Sequence, residues 1–191
     1  MMTGERIRSF VFAKLGRFAA DQSGVSALEF ALLMPLMITL YLGGVEISQA
    51  VSADRKSTLV SHTIGDLVAQ SSDVTDADKT NILNAASSVV YPFAAANLQV
   101  TVSSVCIDAN GRATVAWSET LGGTTRSGTV TSLIPSALLV ANTSLIWGEA
   151  SYAYRPTIGW TITGTLTLND KIFLRPRLSS SVTRNSASAC P

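Results

Sequence analysis

Only two cysteines, Cys106 and Cys190, and a single histidine, His62, occur in the 191 residues. A structural zinc site draws on four Cys or His ligands at short internal spacing, so this inventory leaves no metal to expect. Charge is scarce as well: Asp, Glu, Lys and Arg make up 14% of the chain, against about 25% in an average soluble domain. With a net charge of +1 there is no electrostatic footprint for nucleic acid. Internal repeats and long low-complexity tracts are missing too, and nothing in the composition suggests a cofactor. No Gly-x-Ser-x-Gly sequence opens a helix, and His62 lies among polar neighbours in a helical pattern. Catalysis by a histidine needs a nucleophile and an orienting group held with it in a pocket, so the sequence reads as non-enzymatic.

What the chain does have is an apolar run. From Val25 to Val45 the sole charge is Glu29, and the run is close to the ~20 residues an α-helix needs to cross the hydrocarbon layer. Arg6, Arg8, Lys14 and Arg17 precede it, against Glu5 and Asp21, so the positive-inside bias keeps the N-terminus in the cytoplasm and exports the chain beyond Val45. A secretory signal peptide cut before Asp54 is the rival reading. The apolar region of such a peptide is shorter, about 7 to 15 residues, and sits close behind a short basic region. The leader itself carries Phe10, Leu15 and Phe18 in a weak amphipathic pattern suited to the inner membrane surface.

The chain thus divides into three parts: a cytoplasmic leader over 1–24, a transmembrane helix over 25–45 and an extracytoplasmic α+β domain over 46–191. Ile47 and Val51, then Val60, Ile64 and Leu67 or Val68, keep a helical spacing, so the spanning segment is expected to continue as one long helix to about Gln70, with bends at Pro35 and at Gly43-Gly44. The stretch "SSDVTDADKTNILNAASSVVYP" offers Asp or Thr caps, apolar residues at helical spacing and a stop at Pro92, which predicts a second helix. From Leu98 the period becomes two. "LQVTVSSVCI", "RATVAWSE", "IWGEASYAYR", "WTITGTLTL" and "KIFLRPRLSSSV" predict an antiparallel sheet of about four or five strands, with a short helix in "IPSALLVAN". Trp117, Trp147, Tyr152, Tyr154 and Trp160 fall in these runs and are assigned to core or cross-strand packing, with an adhesive or carbohydrate-binding patch as the alternative. Lys171, Arg175 and Arg177 read as the solvated edge of the sheet rather than as a phosphate or lipid grip.

Gly24 is followed five residues later by Glu29, then Phe30, at the opening of the apolar helix: "GVSALEFALLMPL". This resembles the processing site of type IV prepilins, which a membrane peptidase cuts after the glycine. Phe after the glutamate, a proline six residues beyond it, and the late "YAYRP" and "LNDKIFLRPRLS" segments resemble the TadE-like proteins of tight-adherence (Flp, type IVb) pilus systems. The resemblance implies a pilin-like α+β fold and cleavage between Gly24 and Val25, with Glu29 and Phe30 acting in assembly. It further implies a minor pilin or pseudopilin for surface attachment. Its partners would be the prepilin peptidase, the Tad/Flp assembly platform, the major pilin, sister pseudopilins and the inner membrane. The competing reading is an anchored or secreted periplasmic module with a ligand patch on its sheet.

The physical chemistry of Glu29 agrees with cleavage. A carboxylate in the bilayer costs on the order of 2 to 3 kcal/mol even on lenient scales. A new α-amino group on Val25, one helical turn away, offers it a counter-charge. Export also gives the cysteines an oxidising compartment, so a disulfide between Cys106 and Cys190 is expected to pin the "SSSVTRNSASACP" tail to the sheet.

Overall fold

A computed structural model describes residues 23–158, 164–187 and 190. The first element is helix α1, Ser23–Ala69. By its contacts the chain divides after Val45, and Glu46–Pro191 forms a compact unit of its own. Within that unit α1 has two sides. Ala53, Ser57, Val60, Ser61, Ile64, Val68 and Ala69 are buried, at the three- and four-residue intervals that keep one helical face turned inward. His62 lies on the solvent side.

The two-residue strand β1, Asp73–Val74, leads into helix α2, Asp76–Val89. Thr75 caps α2: its hydroxyl accepts from the Asp78 N–H, while the Asp78 carboxylate accepts from the Thr75 N–H at 3.0 Å. This reciprocal capping box satisfies two otherwise orphaned backbone donors. Ile82, Leu83 and Ala86 form its buried face.

Four strands make the main sheet: β2, Leu98–Ile107; β3, Ala113–Leu121; β4, Thr143–Tyr154; and β5, Leu166–Leu174. All neighbours are antiparallel, in the order β3-β2-β4-β5. Strand β2 is buried along nearly its whole length, as expected of a strand covered on both faces. On the inner face, Val100, Val102, Ile146, Ala150 and Tyr152 share a core with α1 and α2. On the outer face, at one end only, Val130 and Ile134 of the β3–β4 connection close over Val105, Leu145 and Trp147. Two 3₁₀ turns, Thr131–Leu133 and Ser136–Leu138, stand where a short helix was expected.

The expectation of separate strands in "WTITGTLTL" and "KIFLRPRLSSSV" is corrected. One strand, β5, runs unbroken through Asn169 and Asp170, and it ends at Leu174, before the "RPR" segment. Part of the first segment, including Trp160, lies outside the described residues. Asp170 stays in the strand because the Ser61 hydroxyl of α1 donates to its carboxylate, so the polar residue is bonded rather than stranded in the interface.

The chain then returns along the sheet's inner side. The Arg177 N–H bonds to the Ala69 carbonyl at 2.8 Å, the Ser144 hydroxyl to the Ser180 carbonyl at 2.6 Å, and the Trp117 indole N–H to the Val182 carbonyl at 2.8 Å. Strand β6, Thr183–Arg184, pairs in parallel with β1, and Cys190 is disulfide-bonded to Cys106.

Candidate functional site

The segment that sequence reading selects is the opening of α1. It is helical from Ser23, and Gly24, Val25, Glu29 and Phe30 are all solvent-exposed. Val25 and Glu29 are four residues apart, so they share a helix face with a rise of about 6 Å between them. Apolar exposure continues along the run: Leu32 and Tyr41 are each 71% exposed. A helix apolar on every side has no aqueous solvent to suit it, and by length and composition α1 qualifies as a membrane span. It is a single-pass candidate near the N-terminus.

Pro35 lies inside the helix without interrupting it. Its ring nitrogen cannot donate to the Ala31 carbonyl, a loss lipid does not repair. The Thr39 hydroxyl donates to the Pro35 carbonyl at 2.7 Å, taking up polarity one turn further on.

The other residues singled out in the sequence are dispersed. Trp147, Tyr152 and Tyr154 are buried, with Phe93 meeting both tyrosines edge-on at 6.0 and 6.4 Å between ring centroids. Trp117 is half-buried and bonded to the tail. Lys171 is on the edge strand β5, whereas Arg177 pairs with Asp66 of α1. Arg175 and Arg177 follow the end of β5 at Leu174, so of the three cations only Lys171 belongs to the sheet edge.

One ionic cluster leaves little trace in the sequence. Arg184 donates to Glu119 at 2.9 Å, to the Val74 carbonyl at 3.1 Å and to Asp76, and Lys79 reaches Glu119 at 2.6 Å. Burial pushes the Glu119 carboxyl up, but the bonds from Lys79 and Arg184 outweigh it and hold it below its ordinary value. Asp76 is lowered by its bond from Arg184 and then that from Asn185, and Asp73 by the Thr183 hydroxyl and the Ser186 N–H. The cluster ties α2, β3 and β6 together. Only the charges themselves are visible in one dimension, because the register that assembles them joins segments more than a hundred residues apart.

An apolar helix that is a candidate membrane span, running into an α+β domain, defines the class: a chain with the features of a single-pass anchored protein and a helix-on-sheet head. Residues 24–58 match the family model of TadE-like protein, consistent with a TadE-like pilus assembly protein and with involvement in Tad pilus assembly. The matched region holds Gly24, Val25, Glu29 and Phe30 together with the first turns of the buried face of α1. No curated protein and no solved structure matches the chain.

Proposed function

We propose that the protein is a minor pilin or pseudopilin that takes part in assembling a tight-adherence pilus for surface attachment, without catalysing a reaction itself. The supporting observation is the TadE-like match on helix α1, whose first part is apolar and exposed on every side and whose start carries Gly24 and Glu29. In this reading the basic leader stays in the cytoplasm and Glu46–Pro191 is periplasmic. A prepilin peptidase hydrolyses the Gly24–Val25 bond, leaving a carboxylate on Gly24 and an ammonium on Val25. That ammonium and Glu29 neutralise one another, within one chain or between neighbouring helices, which offsets the desolvation of both. The assembly platform, the major pilin and sister pseudopilins are the partners that would recognise the matured helix.

Mass spectrometry of the mature N-terminus, combined with a surface-attachment assay of a deletion strain, tests the proposal. A chain beginning at Val25 and loss of attachment are expected. A start at Met1 with full attachment, or a start at Asp54, would overturn it.

A further inference from the structure

The apolar cover on the outer face of the sheet stands at one end only. At the other end the face forms an open groove of about 510 Å³. Its floor is set by strand register. Thr101, Glu149 and Lys171 are direct cross-strand partners on β2, β4 and β5, and Gln99, Ser151 and Asn169 are the next such row. Residues two apart on a strand share a face, so these six side chains make a two-by-three grid opposite the face that meets α1. Strand spacing and rise give the grid dimensions of about 10 Å by 7 Å. Gly123, Thr124 and Arg126, from the connection after β3, form its wall.

Two kinds of polar group meet here. The first is preorganised. Arg126 donates from Nε and Nη2 to both carboxylate oxygens of Glu149, at 2.8 and 2.6 Å, and its guanidinium lies 4.7 Å from the ring centre of Trp147. Thr101 is likewise engaged, with Thr120 and the Thr124 carbonyl. The second kind is idle. Among the described residues, Gln99, Ser151, Asn169 and Lys171 make no side-chain hydrogen bond or ion pair. Two carboxamides, a hydroxyl and an ammonium thus stand at fixed spacing on a rigid floor, with both donors and acceptors unspent.

Charge narrows the ligand. The outward side chains are Arg126 and Lys171 against Glu149, a net single positive charge, since Asp170 turns to Ser61 on the other face. Glu149 lies beside any bound anion and disfavours a dianion such as phosphate more than a monoanion. The apolar side chains of the next row, Trp147 and Phe173, belong to the core closed over by Val130 and Ile134, so the groove has no apolar pocket for an anchoring hydrophobic side chain. We propose that this groove binds an acidic glycan, taking one carboxylate-bearing sugar with its acid group at Lys171 and Arg126 and its hydroxyls at Gln99, Ser151 and Asn169. The site belongs to the sheet alone and is independent of the pilus reading.

The test is calorimetric titration of the full chain in detergent micelles with three probes: trigalacturonic acid, neutral maltotriose and a capped tri-glutamate peptide. Saturable binding of trigalacturonic acid is expected, at least about tenfold tighter than maltotriose and weakened by added salt. Lys171→Met should weaken it about tenfold, and so should the Gln99→Ala/Asn169→Ala pair, because each removes groups that contact the ligand directly. Both variants should melt like the parent, since the side chains removed make no bonds within the protein. Absence of saturable binding at millimolar concentrations overturns the site. Unchanged affinity in both variants does the same, and equal or tighter binding of the tri-glutamate peptide assigns the groove to an acidic peptide instead.

Discussion

Replacing Gly148 with alanine should loosen the head domain more than a methyl group added at any other of its described glycines. A Cβ at Gly148 would stand 2.8 Å from the Ser61 carbonyl oxygen, 3.2 Å from Ile172 Cγ2 and 3.4 Å from the Gly65 nitrogen. Two of those three atoms are backbone of α1, so no rotamer change relieves the contact and the helix must lift off the sheet. Lifting it opens gaps along Val60, Ile64 and Val68, which are fully buried. Overpacking of a well-filled interior costs about 1 to 3 kcal/mol, and a backbone-limited site belongs at the upper end. For a domain of this size about 3 kcal/mol corresponds to a fall in Tm of roughly 10 °C. Against a typical total stability of about 5 to 15 kcal/mol, that is a large loss.

Circular dichroism melting of the full chain in detergent measures the effect, and two neighbours calibrate it. Gly65→Ala meets side-chain atoms only, Ile172 Cγ2 and Leu174 Cδ1, each at 3.2 Å, which need to give by a few tenths of an ångström, so about 1 kcal/mol is expected. Gly44→Ala meets nothing within 4 Å and should not destabilise the head domain. If Gly148→Ala melts with the parent, or above Gly65→Ala, close helix–sheet approach is not what the glycine provides.

Three further outcomes are expected. On the proposed maturation, Glu29→Ala should leave membrane insertion intact and reduce pilus output, because it would strand the ammonium that cleavage creates on Val25; normal output on electron micrographs would remove the role given to Glu29. Replacing both Cys106 and Cys190 with serine opens a loop of 84 residues and should cost roughly 4 to 5 kcal/mol in the chain-entropy model, read as a lower denaturation midpoint under non-reducing conditions. Asp73, Asp76, Asp78 and Glu119 all titrate below their ordinary values in the fold. Their contribution is therefore complete above about pH 4 to 5 and fades as pH falls through the lowered values, so Tm should drop on acidification below about pH 4, and less steeply in Arg184→Met; equal slopes in parent and variant would refute the cluster's part.

Central elements were the legible ones. Strand β2 occupies the stretch "LQVTVSSVCI" from end to end, since β-branched and small residues run through it without a Gly, Pro, Asn or Asp to break the strand. Helix α2 was legible from its Asp or Thr cap candidates, apolar spacing and proline stop, signals local in sequence, and Thr75 with Asp78 is the pair that caps it. Edges were harder. Asn169-Asp170 looks like a turn in one dimension, yet an edge strand tolerates both residues, one facing solvent and the other bonded across to α1. Strands β1 and β6 are two residues each, too short for any period to register, and their pairing depends on Arg184 and Thr183 finding Asp76 and Asp73. The polar grid was invisible for a different reason: Gln99, Ser151 and Asn169 become neighbours only when strand register is known, and single-sequence alternation fixes the face of a residue but not its cross-strand partner.

The helix itself shows how one element can be read for two solvents. Between Val25 and Val45 apolar residues occupy every face, which fits a lipid environment and leaves periodicity nothing to report. After Glu46 the same helix alternates Ser, Lys, Arg and His on one side with Ala53, Ser57, Val60, Ser61, Ile64 and Val68 on the other, as water on one face and protein on the other require. Small residues at 53, 57, 61 and 65 sit at four-residue intervals on the inner side, and at Gly65 and Gly148 the two backbones come within reach of one another. Hydropathy thus changes at the residue where contacts divide the chain. The sheet-facing half of α1 is chosen for closeness rather than for bulk, and a larger side chain in that row would separate the helix from the strands that complete its core.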